Sequence, residues 1–170
     1  SATGDGAADL VSVDGTAGTA TALGADSVAI GNIFPVADVD WWSFVGGAGD
    51  RVYAAVQTSG ASGSSGDSEL RLIASDGVTV LEFDQDDGSL GSTSSSIAGT
   101  VLPAAGTYYL QVKAFSATAT IRPYHLHFRL QSSGSFPTFE VEPNDTPALA
   151  NPLPANGWVT GNRTPTNDVD

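Results

Sequence analysis

Residues 106–113 read Gly-Thr-Tyr-Tyr-Leu-Gln-Val-Lys, and residues 124–130 read Tyr-His-Leu-His-Phe-Arg-Leu. In an extended chain successive side chains point to opposite faces. The first run therefore sends Tyr108, Leu110 and Val112 to one side and Tyr109, Gln111 and Lys113 to the other. The second sends Tyr124, Leu126, Phe128 and Leu130 inward and His125, His127 and Arg129 outward. Working outward from these runs, the same period places Val52, Ala54 and Val56 on one face of 51–57, and 27–31, 39–45, 69–75, 78–83 and 97–102 are further strands. Gly46-Gly47, Asp76-Gly77 and Asp87-Gly88 supply turns between them. Short strands at this spacing predict an all-β, antiparallel β-sandwich over about residues 8–132. Its expected core is Trp42, Phe44, Val52, Val56, Leu70, Leu72, Tyr108, Leu110, Val112, Leu126 and Phe128.

Composition narrows the function classes. The 170 residues carry 19 acidic and 6 basic side chains, a net charge of −13. Such a surface repels phosphate, which argues against nucleic acid and anionic membrane and favours divalent cations or a salty medium. With no cysteine, disulfides and thiolate metal sites are excluded, leaving packing and oxygen-ligated metals such as Ca²⁺. No apolar run approaches the roughly 18 residues of a membrane helix. The start, Ser1-Ala2-Thr3, has no signal-like segment and reads as a mature or excised piece.

An internal repeat organises the chain. Gly31-Asn32 recurs as Gly161-Asn162, and Asp38-Val39-Asp40 as Asp168-Val169-Asp170. In the same register Leu23 matches Leu153, Ala20 matches Ala150, Thr16 matches Thr146 and Val11 matches Val141. A fixed offset over some thirty residues implies tandem modules. The expected division is a complete sandwich at 1–132, a linker at 133–139 and the truncated N-terminal segment of a second repeat at 140–170.

The order of Asp38-Val-Asp-Trp-Trp-Ser-Phe, Ala48-Gly-Asp-Arg-Val, Asp86-Asp-Gly and Ala105-Gly-Thr-Tyr-Tyr-Leu-Gln-Val resembles the bacterial pre-peptidase C-terminal domain family. Glu140-Val-Glu-Pro-Asn-Asp-Thr resembles the opening motif of a following copy. The resemblance implies a jelly-roll-like sandwich of about eight to nine strands, appended to a secreted hydrolase such as a protease and serving secretion, folding or substrate attachment. The collagen-binding domains of clostridial collagenases are related. The resemblance further implies Ca²⁺ ligands at Glu140, Glu142, Asn144 and Asp145 together with Asp168 and Asp170. Alternate acids on an extended segment point the same way, as Ca²⁺ ligands must. In the first copy only Asp14, Asp38 and Asp40 correspond, and Asp38 and Asp40 read equally as turn and strand-opening residues.

Other constellations carry two readings each. The loop with Asp84, Asp86 and Asp87 before Gly88 reads as a Ca²⁺ loop or as an acidic hairpin; Ser95 stands where an EF-hand has its glutamate. His125 and His127 read as a weak chelate or as an exposed polar face. Gly66-Asp67-Ser68 faintly echoes a nucleophile loop but also reads as a flexible turn, and no other catalytic signature occurs. The chain is therefore expected not to be an enzyme. Two classes remain. One is a Ca²⁺-rigidified accessory spacer beside a catalytic domain of the same polypeptide. The other is a module that binds an extracellular polymer, an insoluble protein such as collagen or a polysaccharide. Outward Trp41, Tyr53 and Tyr109 would serve the second. So would Phe115, which keeps the aromatic character of the collagen-binding relatives. For residues 136–170 the expectation is either extended segments added to a sheet edge, its own or a neighbour's by strand exchange, or a passive stump.

Overall fold

The computed structural model describes residues 14–86, 88, 90, 93–135 and 137–162. It clusters into two units, Ser1–Ser133 and Gly134–Asp170. In the first unit eight strands carry the architecture: β1 (Asp26–Ile33), β2 (Val39–Gly46), β3 (Arg51–Gln57), β4 (Ser68–Ile73), β5 (Val80–Asp84), β6 (Ser96–Val101), β7 (Gly106–Ala114) and β8 (Ile121–Gln131). One sheet runs β2-β7-β4-β5 and the other β1-β8-β3-β6, with every pair among them antiparallel. That order is a jelly roll, two sheets joined by Greek-key crossings. Thr21–Ala22 adds a short parallel rung beside β2, and Ser62–Gly63 pairs with the start of β8.

The strands form because their burial alternates as the sequence does. From Tyr108 to Ala114 in β7 and from Tyr124 to Phe128 in β8 every second side chain is buried, and β2 buries Asp40, Trp42 and Phe44 while Trp41 and Ser43 stay half-buried. All eleven expected core residues are buried in one cluster, joined by Ile33, Ile97, Leu102, Ile121 and Tyr124. Each large apolar side chain so buried contributes roughly 1.5–3 kcal/mol. Phe44 ties the layers together: its ring stacks on Tyr108 of the neighbouring strand at 5.9 Å and meets Phe128 of the opposite sheet at 4.7 Å. Leu130, expected inside, is half-buried at the rim of this cluster.

Asp50 closes one end of the sandwich. Its carboxylate accepts N–H bonds from Gly47 at 2.7 Å and from Ser133 at 2.7 Å. Burial alone would raise this carboxyl, but those backbone donors and the Ser133 hydroxyl outweigh it and hold it below the ordinary value.

The second unit is described by itself. Thr138–Phe139 and Val159–Thr160 pair in parallel, the first of them within the stretch expected to be a linker. Asn151 clasps the chain by accepting from Val141 N–H at 3.0 Å and donating to Val141 C=O at 3.0 Å.

Candidate functional site

The first copy's acids lie where β2 begins. Asp38 ends a tight turn whose Ala37 sits at φ 66°. Its Oδ2 accepts the Phe34 N–H at 3.0 Å and its Oδ1 the Val39 N–H at 2.9 Å. Both oxygens thus organise the turn, which is the structural alternative the sequence left open.

Asp40 faces the core, because the alternation that buries Trp42 and Phe44 buries it too. Its Oδ2 accepts the Tyr124 hydroxyl at 2.5 Å, and Tyr124 in turn accepts the Trp42 indole N–H at 2.9 Å. Asp14 is fully buried, and its carbonyl accepts the Trp41 N–H at 2.9 Å. Burial first, then the charge of Asp40 and its hydrogen bond, push the Tyr124 phenol well above its ordinary value; Asp14 adds to the same effect. This cluster fixes a glycine. A Cβ on Gly31 would stand 2.4 Å from the Tyr124 ring and 2.7 Å from Asp40 Oδ2. The repeated Gly-Asn of the sequence is explained in the first copy by that close approach.

Ca²⁺ requires six to eight oxygens. Asp38 gives both of its oxygens to the turn and Asp40 one to a core phenol, while Asp14 Oδ2 and Asp40 Oδ1 are buried with no hydrogen bond. Among the described residues no group of three or more His, Cys, Asp or Glu side chains is arranged to hold a metal.

The second copy's segment differs. Glu140 accepts the Asn162 N–H, and Glu142 Oε2 accepts the Asn144 N–H at 3.0 Å. Asn144 Oδ1 is buried without a hydrogen bond, and Asn144 and Glu140 line a pocket of about 180 Å³. A buried carbonyl oxygen lacking a donor, beside a carboxylate, is a donor set that suits a hard cation. Asp145 is exposed nearby in sequence. Asp168 and Asp170 lie outside the described residues.

In the 84–89 loop, Asp84 Oδ2 accepts the Ser96 N–H at 2.6 Å, and Gly88 donates to the Ser94 carbonyl at 2.8 Å. Ser95 is fully buried, its hydroxyl donating to the Ser68 carbonyl at 2.7 Å. It faces the sandwich interior. Asp86 raises the neighbouring Asp67 carboxyl, to which burial contributes most. Asp87 lies outside the described residues. Ser68 of the nucleophile-like loop is itself buried, with its hydroxyl 2.8 Å from that of Ser95.

The outward aromatics fall on two different faces. Trp41 and Tyr109 meet edge-on at 5.9 Å on the β2-β7-β4-β5 sheet. The register runs Trp41, Gln111, Arg71 and Phe83 across that sheet, and Phe83 and Phe115 are 59% and 52% exposed. Phe83 was not anticipated, although its place opposite Arg71 follows once β4 and β5 pair. Tyr53 lies on the other sheet with His125 and His127. His127 Nε2 is 3.0 Å from Gln57 Oε1.

Residues 38–114 match the bacterial pre-peptidase C-terminal domain. Among solved structures, the pre-peptidase C-terminal domain of Bacillus anthracis collagenase is similar, at 17% identity and TM-score 0.49, over 65% of this chain and 94% of that one. The Aeromonas hydrophila periplasmic inhibitor of g-type lysozyme aligns at 17% identity and TM-score 0.48, covering 66% and 96%. A carbohydrate-binding module of family 36, solved with calcium and xylotriose, aligns at 11% and 0.36, covering 57% and 77%. No curated protein matches the sequence.

Proposed function

We propose that this jelly roll, a pre-peptidase C-terminal domain by the match of residues 38–114, is a non-catalytic accessory module of a secreted bacterial hydrolase, a protease in the first instance. In this reading the first unit is a stable spacer that supports folding and export of a catalytic domain in the same polypeptide. Its polar residues serve that end: Asp38, Asp40, Asp50, Ser68 and Ser95 are all engaged in holding turns, core and strand ends. The observation that carries the reading is the family match over residues 38–114, which spans six strands of the sandwich. Among the described residues no helix is long and apolar enough to cross a membrane.

Calcium belongs, in this account, to the second unit. Glu140, Glu142 and Asn144, with Asp145 and the later Asp168 and Asp170, would hold it. The ion would supply the cross-link that a short segment with a small core lacks.

The isolated chain is expected to hydrolyse no peptide, ester or glycoside substrate. Turnover that survives purification and vanishes on a point substitution would overturn the accessory reading. A second reading, attachment to an insoluble protein such as collagen, is favoured by the row from Trp41 to Phe83 with Tyr109 and Phe115 beside it. Cosedimentation with collagen fibres that is lost in Trp41→Ala would establish it; no cosedimentation would remove it.

A further inference from the structure

The outer face of the β1-β8-β3-β6 sheet carries a trough that neither reading uses. Cross-strand register builds it in two rows. Val28, His127, Ala55 and Ser96 form one, and Asp26, Arg129, Tyr53 and Ala98 the other. Ala55, Ser96 and Ala98 are small, whereas Tyr53, His127 and Arg129 beside them are large. The step between them leaves an open depression of about 540 Å³, within the range of sites that hold small ligands. Gly99, at φ +87°, is pressed against Tyr53: an added Cβ would lie 3.3 Å from the Tyr53 hydroxyl. The ring stands at one end of the trough and offers a flat face for a ligand to stack on.

The lining limits the occupant. Arg129 Nε and Asp26 Oδ1 pair with each other at 3.1 Å, so the trough contributes no net charge, and the molecule around it carries −13. A polyanion is repelled and a cation gains no dedicated partner. A peptide strand gains affinity by main-chain bonding at a sheet edge. This is the middle of a face, where β8 and β3 already use their main-chain groups on each other and on their neighbours. What remains is a shallow apolar floor, one positioned aromatic ring and planar side-chain donors and acceptors at the rim: His127, Gln57, Arg129 and Asp26. A flat, neutral glycan fits that combination. Its C–H faces lie on the floor and the Tyr53 ring, and its hydroxyls meet the rim groups. The geometry points to this trough as a binding site for an extended neutral oligosaccharide, on the opposite sheet from Trp41 and independent of the accessory reading.

The test is titration of the ¹⁵N-labelled full chain with cellohexaose, chitohexaose or mannohexaose, with a (Pro-Pro-Gly)₁₀ peptide as a parallel arm. The expected result is saturable binding of at least one sugar, with amide shifts centred on Tyr53, Ala55, Ala98 and His127. Tyr53→Ala weakens it at least tenfold, a loss of about 1.4 kcal/mol. Ala98→Trp, which fills the trough from an exposed position, abolishes it while leaving the melting transition in place. Three results overturn the proposal. They are no sugar binding up to about 10 mM, a range that reaches affinities weaker than −4.1 kcal/mol; sugar binding indifferent to both substitutions; or trough shifts produced by the peptide alone.

Discussion

The acids that open β2 in the first unit and the acids that open the second unit sit in different surroundings. In the first unit Asp38 and Asp40 are buried; Asp38 takes two backbone N–H groups, and Asp40 takes the Tyr124 hydroxyl on one oxygen while the other is buried with no hydrogen bond. In the second unit Glu140 and Glu142 each take a backbone donor, and Asn144 Oδ1 is buried with no hydrogen bond. A carboxylate inside a jelly roll is expensive unless hydrogen-bonded, and in the first unit turn N–H groups and a core phenol supply those bonds.

The largest effect expected from this contrast is at the repeated glycine. Gly31→Ala drives a methyl into the Tyr124–Asp40 hydrogen bond and should cost about 3 kcal/mol, lowering the melting temperature of the first unit by about 10 °C. Gly161→Ala, at an exposed position, should change it by less than about 0.5 kcal/mol. Equal effects at both glycines, measured by thermal denaturation, would break the comparison.

Next comes Asp50, whose folded-state carboxyl is held below its ordinary value. Its contribution is full above the unfolded-state value near 4 and is lost as pH falls through the lower folded-state value. Asp50→Ala should therefore cost about 2 kcal/mol at pH 7. The gap to the parent protein should narrow on acidification in urea titrations. A gap that widens toward low pH would contradict the assignment.

The strands and the core were legible because period-two alternation is a local property: every expected core residue is buried. Trp42 and Phe44 were read correctly, and the same step back along β2 reaches Asp40. The inward position of this candidate ligand follows from the same alternation. Tyr124, two residues before Leu126, carried the matching signal for its partner. The trough was not legible, since Tyr53, Ala98 and His127 become neighbours only through pairings across 45 to 76 positions of chain. Tyr53 was picked out as an outward aromatic, but its setting depends on strand order and on the small residues of β6. Phe83 was missed for the same reason.

A smaller effect probes the acidic loop. Burial and Asp86 raise the Asp67 carboxyl in the folded state, so the charged form opposes folding at neutral pH. Asp67→Asn should raise the melting temperature by on the order of 1 °C at pH 7. The advantage should be gone below the unfolded-state value, where both states are protonated. A fall at pH 7 instead, seen only with Ca²⁺ present, would show that Asp67 and the 84–87 loop hold the ion.

The most direct test of the central claim is calorimetric titration of the chelator-treated chain with Ca²⁺, for the parent, for Glu140→Gln with Asn144→Ala, and for Asp40→Asn. The account predicts binding heat in the parent, its loss in the Glu140/Asn144 variant and its persistence in Asp40→Asn. Heat that survives in the Glu140/Asn144 variant and disappears in Asp40→Asn would place the ion in the first unit, and no heat in the parent would remove Ca²⁺ from the account altogether.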